Sequence, residues 1–254
     1  MAFYFKGKVP QNVYFNDREV NKILYNDVIV WKRLPKEFKE VEYIESDGNQ
    51  YIDTGVYGTQ KTRIDITYEY MQSTTSSIVL GNRIGNKQNE LLLSTDSIDT
   101  LDTLFLGYAN SGVSNDKVEY SNYNIPITAS KKYRVIINSE LVPNKRLTPN
   151  IDLKVRSLYT SINVNKTDYV VPNVNSNLFS TFKTLDVFGG YTSRTDFHLT
   201  AMRLYALKIY NGKILQRDFI PCYNANSSEV GLYDLVSQQF FANLGSGKFR
   251  KGAE

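Results

Sequence analysis

Two turn-rich segments carry the side chains best suited to bind a sugar. Residues 106–112 read LGYANSG and residues 189–197 read GGYTSRTDF. An aromatic ring can pack against the C–H groups of a sugar, while planar amide, carboxylate and guanidinium groups hydrogen-bond to its hydroxyls. We therefore predict glycan contacts from Tyr108, Asn110, Tyr191, Arg194 and Asp196. The alternative is that these residues simply form polar turns.

Nucleophilic and zinc chemistry have little support in the sequence. The chain holds a single histidine, His198, and a single cysteine, Cys222. A catalytic triad would have to use His198, yet no G-x-S-x-G motif accompanies it, so we expect a partly buried strand histidine. One His and one Cys do not make an ordinary zinc site, and one Cys excludes an internal disulfide. Cys222 follows Pro221 in an apolar stretch and should be a small buried hydrophobe.

Paired carboxylates of a glycosidase are the next chemistry to consider. In RIDITYEY, residues 63–70, Asp65 and Glu69 fall on one face of a strand. Four residues of extended chain separate them by about 13 Å, whereas a retaining glycosidase holds its two carboxyl groups about 5 Å apart. We therefore predict that the protein is not an enzyme.

A calcium site is the one cofactor that the sequence leaves open. Asp96, Asp99 and Asp102 are evenly spaced, and carboxylate oxygens are ligands that Ca²⁺ accepts. The segment lacks the ligand alternation of an EF-hand loop, so we expect a solvated polar loop and no cofactor. Asp47 and Asp196 are equally plausible ligands if another loop binds calcium.

The composition of the chain indicates which secondary structure must position these residues. At 254 residues, the chain is long enough for one large domain with a small appendage. Nineteen Tyr against one Trp favour strands joined by polar turns. The net charge is +4, and the basic residues are scattered along the predicted strands, which argues against nucleic-acid binding. No signal peptide is evident at the N-terminus, and no apolar run is long enough for membrane insertion.

The apolar pattern from residue 40 onward is typical of strands. RIDITYEY alternates cleanly, with Ile64, Ile66, Tyr68 and Tyr70 on the buried side. Residues 199–213 are apolar on both faces and end in Asn-Gly, which predicts a central, covered strand followed by a hairpin. Further strands are predicted at 77–81, 90–94, 103–108, 132–138, 151–155, 157–164, 185–188, 215–220, 230–233 and 239–242. Many short strands without an amphipathic helix predict a sandwich or jelly roll.

The first 33 residues contain an internal repeat. VYFNDREV (residues 13–20) aligns with ILYNDVIV (residues 23–30), and Asn-Asp occupies the same position in both. Asn and Asp tolerate tight turns, so each unit predicts a hairpin, and the two hairpins could form one small sheet. Pro35, shortly after the repeat, interrupts any strand ladder at that point. We therefore divide the chain into a hairpin element (1–33), a linker (34–39) and a β domain (40–254).

Two blocks bracket the predicted β domain. The first, EYIESDGNQYIDTG, spans residues 42–55, and the second, RDFIPCYNANSSEVGLYDLVSQQFFANLGSGKF, spans residues 217–249. Together they resemble the laminin-G-like, or concanavalin-A-like, domains of bacteriophage and prophage structural proteins. The resemblance covers roughly residues 40–250 and implies a jelly-roll β-sandwich. The N-terminal hairpins, ending in Val30-Trp31, resemble an element of phage tail and fibre proteins.

The resemblance implies a bacteriophage virion surface protein of the fibre, tail or head-fibre type. Its jelly roll would bind host-surface or mucosal glycans for adhesion, and its N-terminal element would attach to other virion proteins. It would be a homo-oligomer on the virion surface, assembled in the cytoplasm of the bacterial host. Two alternatives stay open: a capsid-decoration or baseplate subunit that binds only virion proteins, and a glycan-active hydrolase.

Overall fold

The computed structural model describes most of the chain from residue 34 onward and four strands before it. The described residues are 13–15, 18–20, 22–25, 28–32, 34–59, 61–71, 77–84, 89–98, 101–109, 125–138, 159–165, 167–172 and 180–254. They contain no helix, and every strand pair is antiparallel, so the predicted all-β fold is confirmed. Among them, no helix is present that could cross a membrane.

Two hairpins precede the main domain. The first joins β1 (Val13–Phe15) to β2 (Arg18–Val20), and the second joins β3 (Lys22–Tyr25) to β4 (Val28–Lys32). The strands of each hairpin pair as predicted, and the repeated Asn-Asp residues between them in the sequence lie outside the described residues. Each hairpin is a separate two-stranded sheet, so the expected joined sheet does not form among the described strands.

Nineteen strands follow among the described residues. They are β5 (Phe38–Glu40), β6 (Ile44–Asp47), β7 (Ile52–Thr59), β8 (Thr62–Tyr70), β9 (Ser77–Asn82), β10 (Glu90–Ile98), β11 (Leu101–Ala109), β12 (Ile125–Pro126), β13 (Lys132–Asn138), β14 (Tyr159–Val164), β15 (Thr167–Pro172), β16 (Ser180–Val187), β17 (Gly189–Tyr191), β18 (Phe197–Leu199), β19 (Ala201–Asn211), β20 (Ile214–Asn224), β21 (Val230–Asp234), β22 (Gln239–Phe241) and β23 (Arg250–Lys251). The strand predicted at 151–155 lies outside the described residues.

Seventeen of these described strands form two sheets packed face to face, and β17 and β18 form a separate two-stranded sheet. The smaller sheet has the order β12-β11-β10-β9-β16-β7, and the larger follows the path β15-β14-β13-β8-β19-β20-β21-β22. Beside that path, β5 pairs with β20, β6 pairs with β19, and β23 pairs with β6. One apolar cluster takes residues from both sheets, for example Ile64 and Ile66 from β8 with Leu91 and Leu93 from β10. The core therefore lies between the sheets, as in a β-sandwich.

The alternation predicted for β8 is present in the structure, whereas the prediction for β19 is only partly correct. Ile64, Ile66, Tyr68 and Tyr70 are all fully buried. Strand β19 is central, with β8 on one side and β6 and β20 on the other, but only one of its faces is buried. The register shifts between Leu204 and Ala206, which lets side chains three residues apart share the core face. Because of this bulge, the buried residues of β19 do not follow a strict two-residue period. A strictly alternating strand would therefore place apolar residues on both faces.

Residues 34–39 pack against the main domain. Leu34 is buried in a cluster with Ile220, Cys222 and Tyr233, and β5 pairs with the end of β20. Cys222 is fully buried, as predicted, and burial raises the pKa of its thiol to about 12.

The two sequence blocks meet in the folded chain. The Gln50 side chain donates from Nε2 to the carbonyl of Ser246 at 3.2 Å, and the Ser246 N–H donates to the carbonyl of Asn49 at 3.0 Å. The Tyr51 N–H donates to Oδ1 of Asn243 at 3.2 Å. These bonds fix the backbone at Tyr51, at the start of β7.

Candidate functional site

Only three of the five predicted sugar-binding residues have a described side chain. Tyr108 lies on β11 opposite Leu91, but its side chain and the whole of Asn110 are outside the described residues. Tyr191, Arg194 and Asp196 belong to one hairpin, formed by β17, the turn 192–196 and β18. The site is therefore built from this hairpin and from what lies beside it.

The hairpin packs closely on β9 because of a glycine. A Cβ added to Gly190 would lie 2.0 Å from the carbonyl oxygen of Gly81, so no other residue fits without moving backbone. The Gly189-Gly190 pair permits this close approach because neither residue has a side chain. The N–H of Tyr191 donates to Oδ1 of Asn82 at 2.6 Å, which holds Tyr191 at the end of β9.

Asp196, one of the predicted ligand residues, forms hydrogen bonds within the turn of the hairpin. The Ser193 hydroxyl donates to the Asp196 carboxylate at 2.7 Å, and the N–H of Asp196 donates back to Ser193 Oγ at 3.1 Å. Asp196 therefore stabilises the turn. Arg194 is exposed at the tip and forms no ion pair with any residue that the structure describes.

Four aromatic rings form a continuous row beside the hairpin, which we call the aromatic row. Tyr51 contacts Phe197 with ring centroids 4.7 Å apart, Phe197 contacts Tyr191 at 4.8 Å, and Tyr191 contacts Phe182 at 5.7 Å. All four are partly exposed. Lys183 places its ammonium 3.8 Å from the centroid of Tyr191, within range of a cation–π interaction.

Two carboxyl groups stand next to this row, and we call them the acid pair. Asp53 on β7 lies directly opposite Asp186 on β16. Leu185 and Val187 are both fully buried in the core, so Asp186 points to the other face of the smaller sheet. Opposite residues of an antiparallel pair share a face, which brings the two carboxyl groups together.

One member of the acid pair has a strongly raised pKa. Asp186 is only 5% exposed, and burial, followed by the charge on Asp53, raises the pKa of its carboxyl to about 7. The Asn82 amide, 3.4 Å from Asp186 Oδ2, and the charge on Lys183 act in the opposite direction. Neither acid forms an ion pair with a described residue. At neutral pH, Asp186 is therefore divided between its protonated and ionised forms.

The charge on the acid pair also affects the aromatic row. Burial, followed by the charge on Asp186, raises the pKa of the Tyr51 hydroxyl, so Tyr51 stays neutral. The four rings, Lys183 and Asp53 are accessible at this surface, whereas Asp186 and Asn82 are buried. A sugar ring could pack on an aromatic side chain there while its hydroxyls bond to Asp53.

The residues considered for catalysis, Asp65, Glu69 and His198, do not belong to the aromatic row or to the acid pair. Asp65 forms a two-bond ion pair with Arg134 at 2.7 and 2.9 Å, and Glu69 accepts bonds from Arg203 and Tyr205. Both carboxylates are therefore tied to partners on the larger sheet. His198 is partly exposed on β18, opposite Gly190.

The residues considered for calcium do not come together in the described part of the chain. Asp102 accepts a hydrogen bond from the Tyr70 hydroxyl at 2.8 Å, and the side chains of Asp96 and Asp99 lie outside the described residues. Asp47 accepts from Asn49 within its own turn. The described residues contain no group of three His, Cys, Asp or Glu side chains able to hold a metal ion.

Comparison with known proteins adds no assignment, since no family model and no curated protein matches the chain. The functional argument therefore depends on the geometry. Sequence reasoning identifies Tyr191 but misses Tyr51, Asp53 and Asp186. The signal present in the sequence is an Asp placed between two core residues in LDV, which predicts a carboxyl group on the outer face of a buried strand.

Proposed function

We propose that this protein binds glycans through the aromatic row and the acid pair. The observation that supports this most strongly is the four-ring row beside two carboxyl groups that form no ion pair with a described residue. Aromatic surface with a few convergent polar groups is typical of small-molecule sites. A carboxyl group with a strongly perturbed pKa is likewise more frequent at functional sites than elsewhere.

The biological setting is part of the same proposal. The end blocks resemble those of phage laminin-G-like jelly rolls, and the all-β sandwich is compatible with that class. We therefore propose a bacteriophage virion surface protein whose sandwich adheres to host-surface or mucosal glycans. The two N-terminal hairpins would attach it to other virion proteins, and the protein would act as a homo-oligomer. This setting is an inference from resemblance, since a fold does not by itself define a function.

The test is glycan binding by the full-length protein. We expect saturable binding to at least one member of a panel of bacterial-surface and mucin glycans, measured with and without EDTA to detect a calcium requirement. Tyr191→Ala should weaken binding at least about tenfold, the loss expected from one hot-spot aromatic residue.

A matched control is Tyr205→Ala. Tyr205 also has a lysine over its ring, with Lys132 Nζ 3.5 Å from the centroid, but it lies on the larger sheet. This variant should bind like the wild type. No glycan binding at all, or equal losses in both variants, would refute the proposed site and favour a scaffold that binds only virion proteins.

The acid pair also supports a second candidate function, glycoside hydrolysis. Two neighbouring carboxyl groups, of which one has a pKa raised to about 7, are what a general acid and its partner require. The glycans that bind should therefore be assayed for release of new reducing ends. Turnover that is lost in both Asp53→Asn and Asp186→Asn would establish an enzyme, whereas binding without turnover would establish adhesion alone.

A further inference from the structure

A cleft beside the larger sheet shares no lining residue with the aromatic row or the acid pair, although the Tyr51 N–H donates to Asn243 in its wall. It lies between the turn that joins β20 to β21 and the segment 243–249, and it encloses about 400 Å³. That volume is within the range of small-ligand sites. None of the residues that line it belongs to the aromatic row or to the acid pair.

Both walls of the cleft are held in place by hydrogen bonds. On one side, Asn224 donates its N–H to the carbonyl of Glu229 at 2.8 Å, and the Glu229 N–H donates to the Ser227 hydroxyl at 3.3 Å. On the other side, the Gly245 N–H donates to Asn243 Oδ1 at 2.9 Å, and Gln50 binds the Ser246 carbonyl. A cleft with fixed walls loses little conformational entropy when a ligand binds.

The two walls carry opposite charges that do not neutralise each other. Glu229 lines one wall and Lys248 the other, and both are exposed. No ion pair joins them to each other or to any other residue that the structure describes. The cleft thus offers a carboxylate and an ammonium to a ligand at the same time.

The remaining lining suits a hydroxylated ring. Ser227 and Ser228 supply hydroxyl groups, while Val230 and the buried ring of Phe249 supply apolar surface. Hydroxyls can donate and accept, and the apolar part can contact the C–H groups of a ring. We propose that this cleft binds a small zwitterionic sugar, with an amino group bound by Glu229 and an anionic group bound by Lys248.

The test uses four probes that differ by one charged group at a time. Glucosamine 6-phosphate carries both charges, glucose 6-phosphate lacks the amino group, glucosamine lacks the phosphate, and glucose lacks both. Amide chemical shifts of the full-length protein are followed at neutral pH. Glucosamine 6-phosphate should bind about tenfold more tightly than either singly charged probe and shift residues of the two walls.

Two exposed substitutions assign each charge. Glu229→Gln should reduce the affinity for glucosamine 6-phosphate to that for glucose 6-phosphate, and Lys248→Met should reduce it to that for glucosamine. Neither residue forms an ion pair with a described residue, so both variants should melt like the wild type. Tyr191→Ala, which removes part of the aromatic row, should leave this binding unchanged.

The proposal has clear contradictory outcomes. It is wrong if the four probes bind equally, if none binds, or if both charge variants keep the wild-type preference for glucosamine 6-phosphate. Because Tyr191→Ala separates the two sites, failure at the cleft leaves the glycan proposal for the aromatic row untouched.

Discussion

Two surfaces of this sandwich use the same kinds of side chain in different ways. On the larger sheet, Tyr43 and Tyr205 lie 5.4 Å apart, near Lys132, Arg203 and Glu69. On the smaller sheet, the aromatic row lies near Lys183 and the acid pair. Each surface therefore combines tyrosines, a cation over a ring and carboxyl groups. We call the first of these the paired face.

The two surfaces differ in whether their charges are neutralised. On the paired face, Arg203 bonds to Glu45 at 2.6 Å and to Glu69 at 3.2 Å, and the Tyr205 hydroxyl donates to Glu69 at 2.8 Å. Its carboxylates therefore have partners within the protein. The acid pair has no such cation among the described residues, and one member has its pKa raised to about 7. The two surfaces thus contain similar residue types but differ in the pairing of their charges, and this difference is what favours the proposed binding surface.

The largest expected effect that separates the two surfaces comes from Gly190→Ala. The added Cβ would clash with the Gly81 backbone, 2.0 Å away, so the β17–β18 hairpin must move. We expect a loss of about 3 kcal/mol in the free energy of unfolding, measured in urea, together with loss of glycan binding. Gly212→Ala is the control, since it changes a glycine in the turn between β19 and β20, where an added Cβ meets no atom within 4 Å. It should cost about 1 kcal/mol for its positive φ and leave binding intact.

Asp186→Asn should make the protein more stable at neutral and higher pH. The folded pKa of about 7 lies above the ordinary value of 3.8, so the folded state holds this proton more tightly than the unfolded state. The wild type is therefore most stable below the unfolded pKa and loses stability as the pH rises from about 4 to about 7. The substituted amide cannot ionise and keeps an oxygen for Asn82. We expect a gain on the order of 2 kcal/mol above pH 7 in urea unfolding. Equal pH slopes in both proteins would contradict the raised pKa.

Glu69→Gln on the paired face should have the opposite sign and a smaller size. Glutamine keeps an acceptor for Tyr205 but removes the charge that partners Arg203. We expect a loss of about 1 kcal/mol in the free energy of unfolding, the upper value for an ion pair whose arginine is partly exposed. Glycan affinity should not change. A gain in stability would show that the carboxylates of the two surfaces are in the same electrostatic state.

The sequence predicts the framework well where local patterns suffice. The strands β8 and β13 follow from alternation, and the β19–β20 hairpin follows from Asn211-Gly212, in which Gly212 adopts a positive φ. Strand β7 is not predicted because Gly55 and Gly58 interrupt its apolar pattern. The bulge in β19 is likewise invisible to a strict two-residue period.

The candidate site is harder to predict because it depends on pairing between distant segments. Tyr191 can be selected from its loop, but Asp53 and Asp186 become neighbours only when β7 pairs with β16. A contact in that pair, from the Thr54 hydroxyl to the Leu185 carbonyl, spans 131 residues. Local propensity contains no information about such register, so the acid pair required the structure.

The most direct test of the difference between the two surfaces is a residue-by-residue binding map. Amide chemical shifts of the full-length protein would be recorded during titration with the glycan that binds best in the panel. We expect the largest changes at Tyr51, Asp53, Asp186 and Tyr191, with none at Glu69, Arg203 or Tyr205. Changes centred on the paired face, or no saturable change anywhere, would contradict the claim that the unpaired acids beside the aromatic row mark the binding surface.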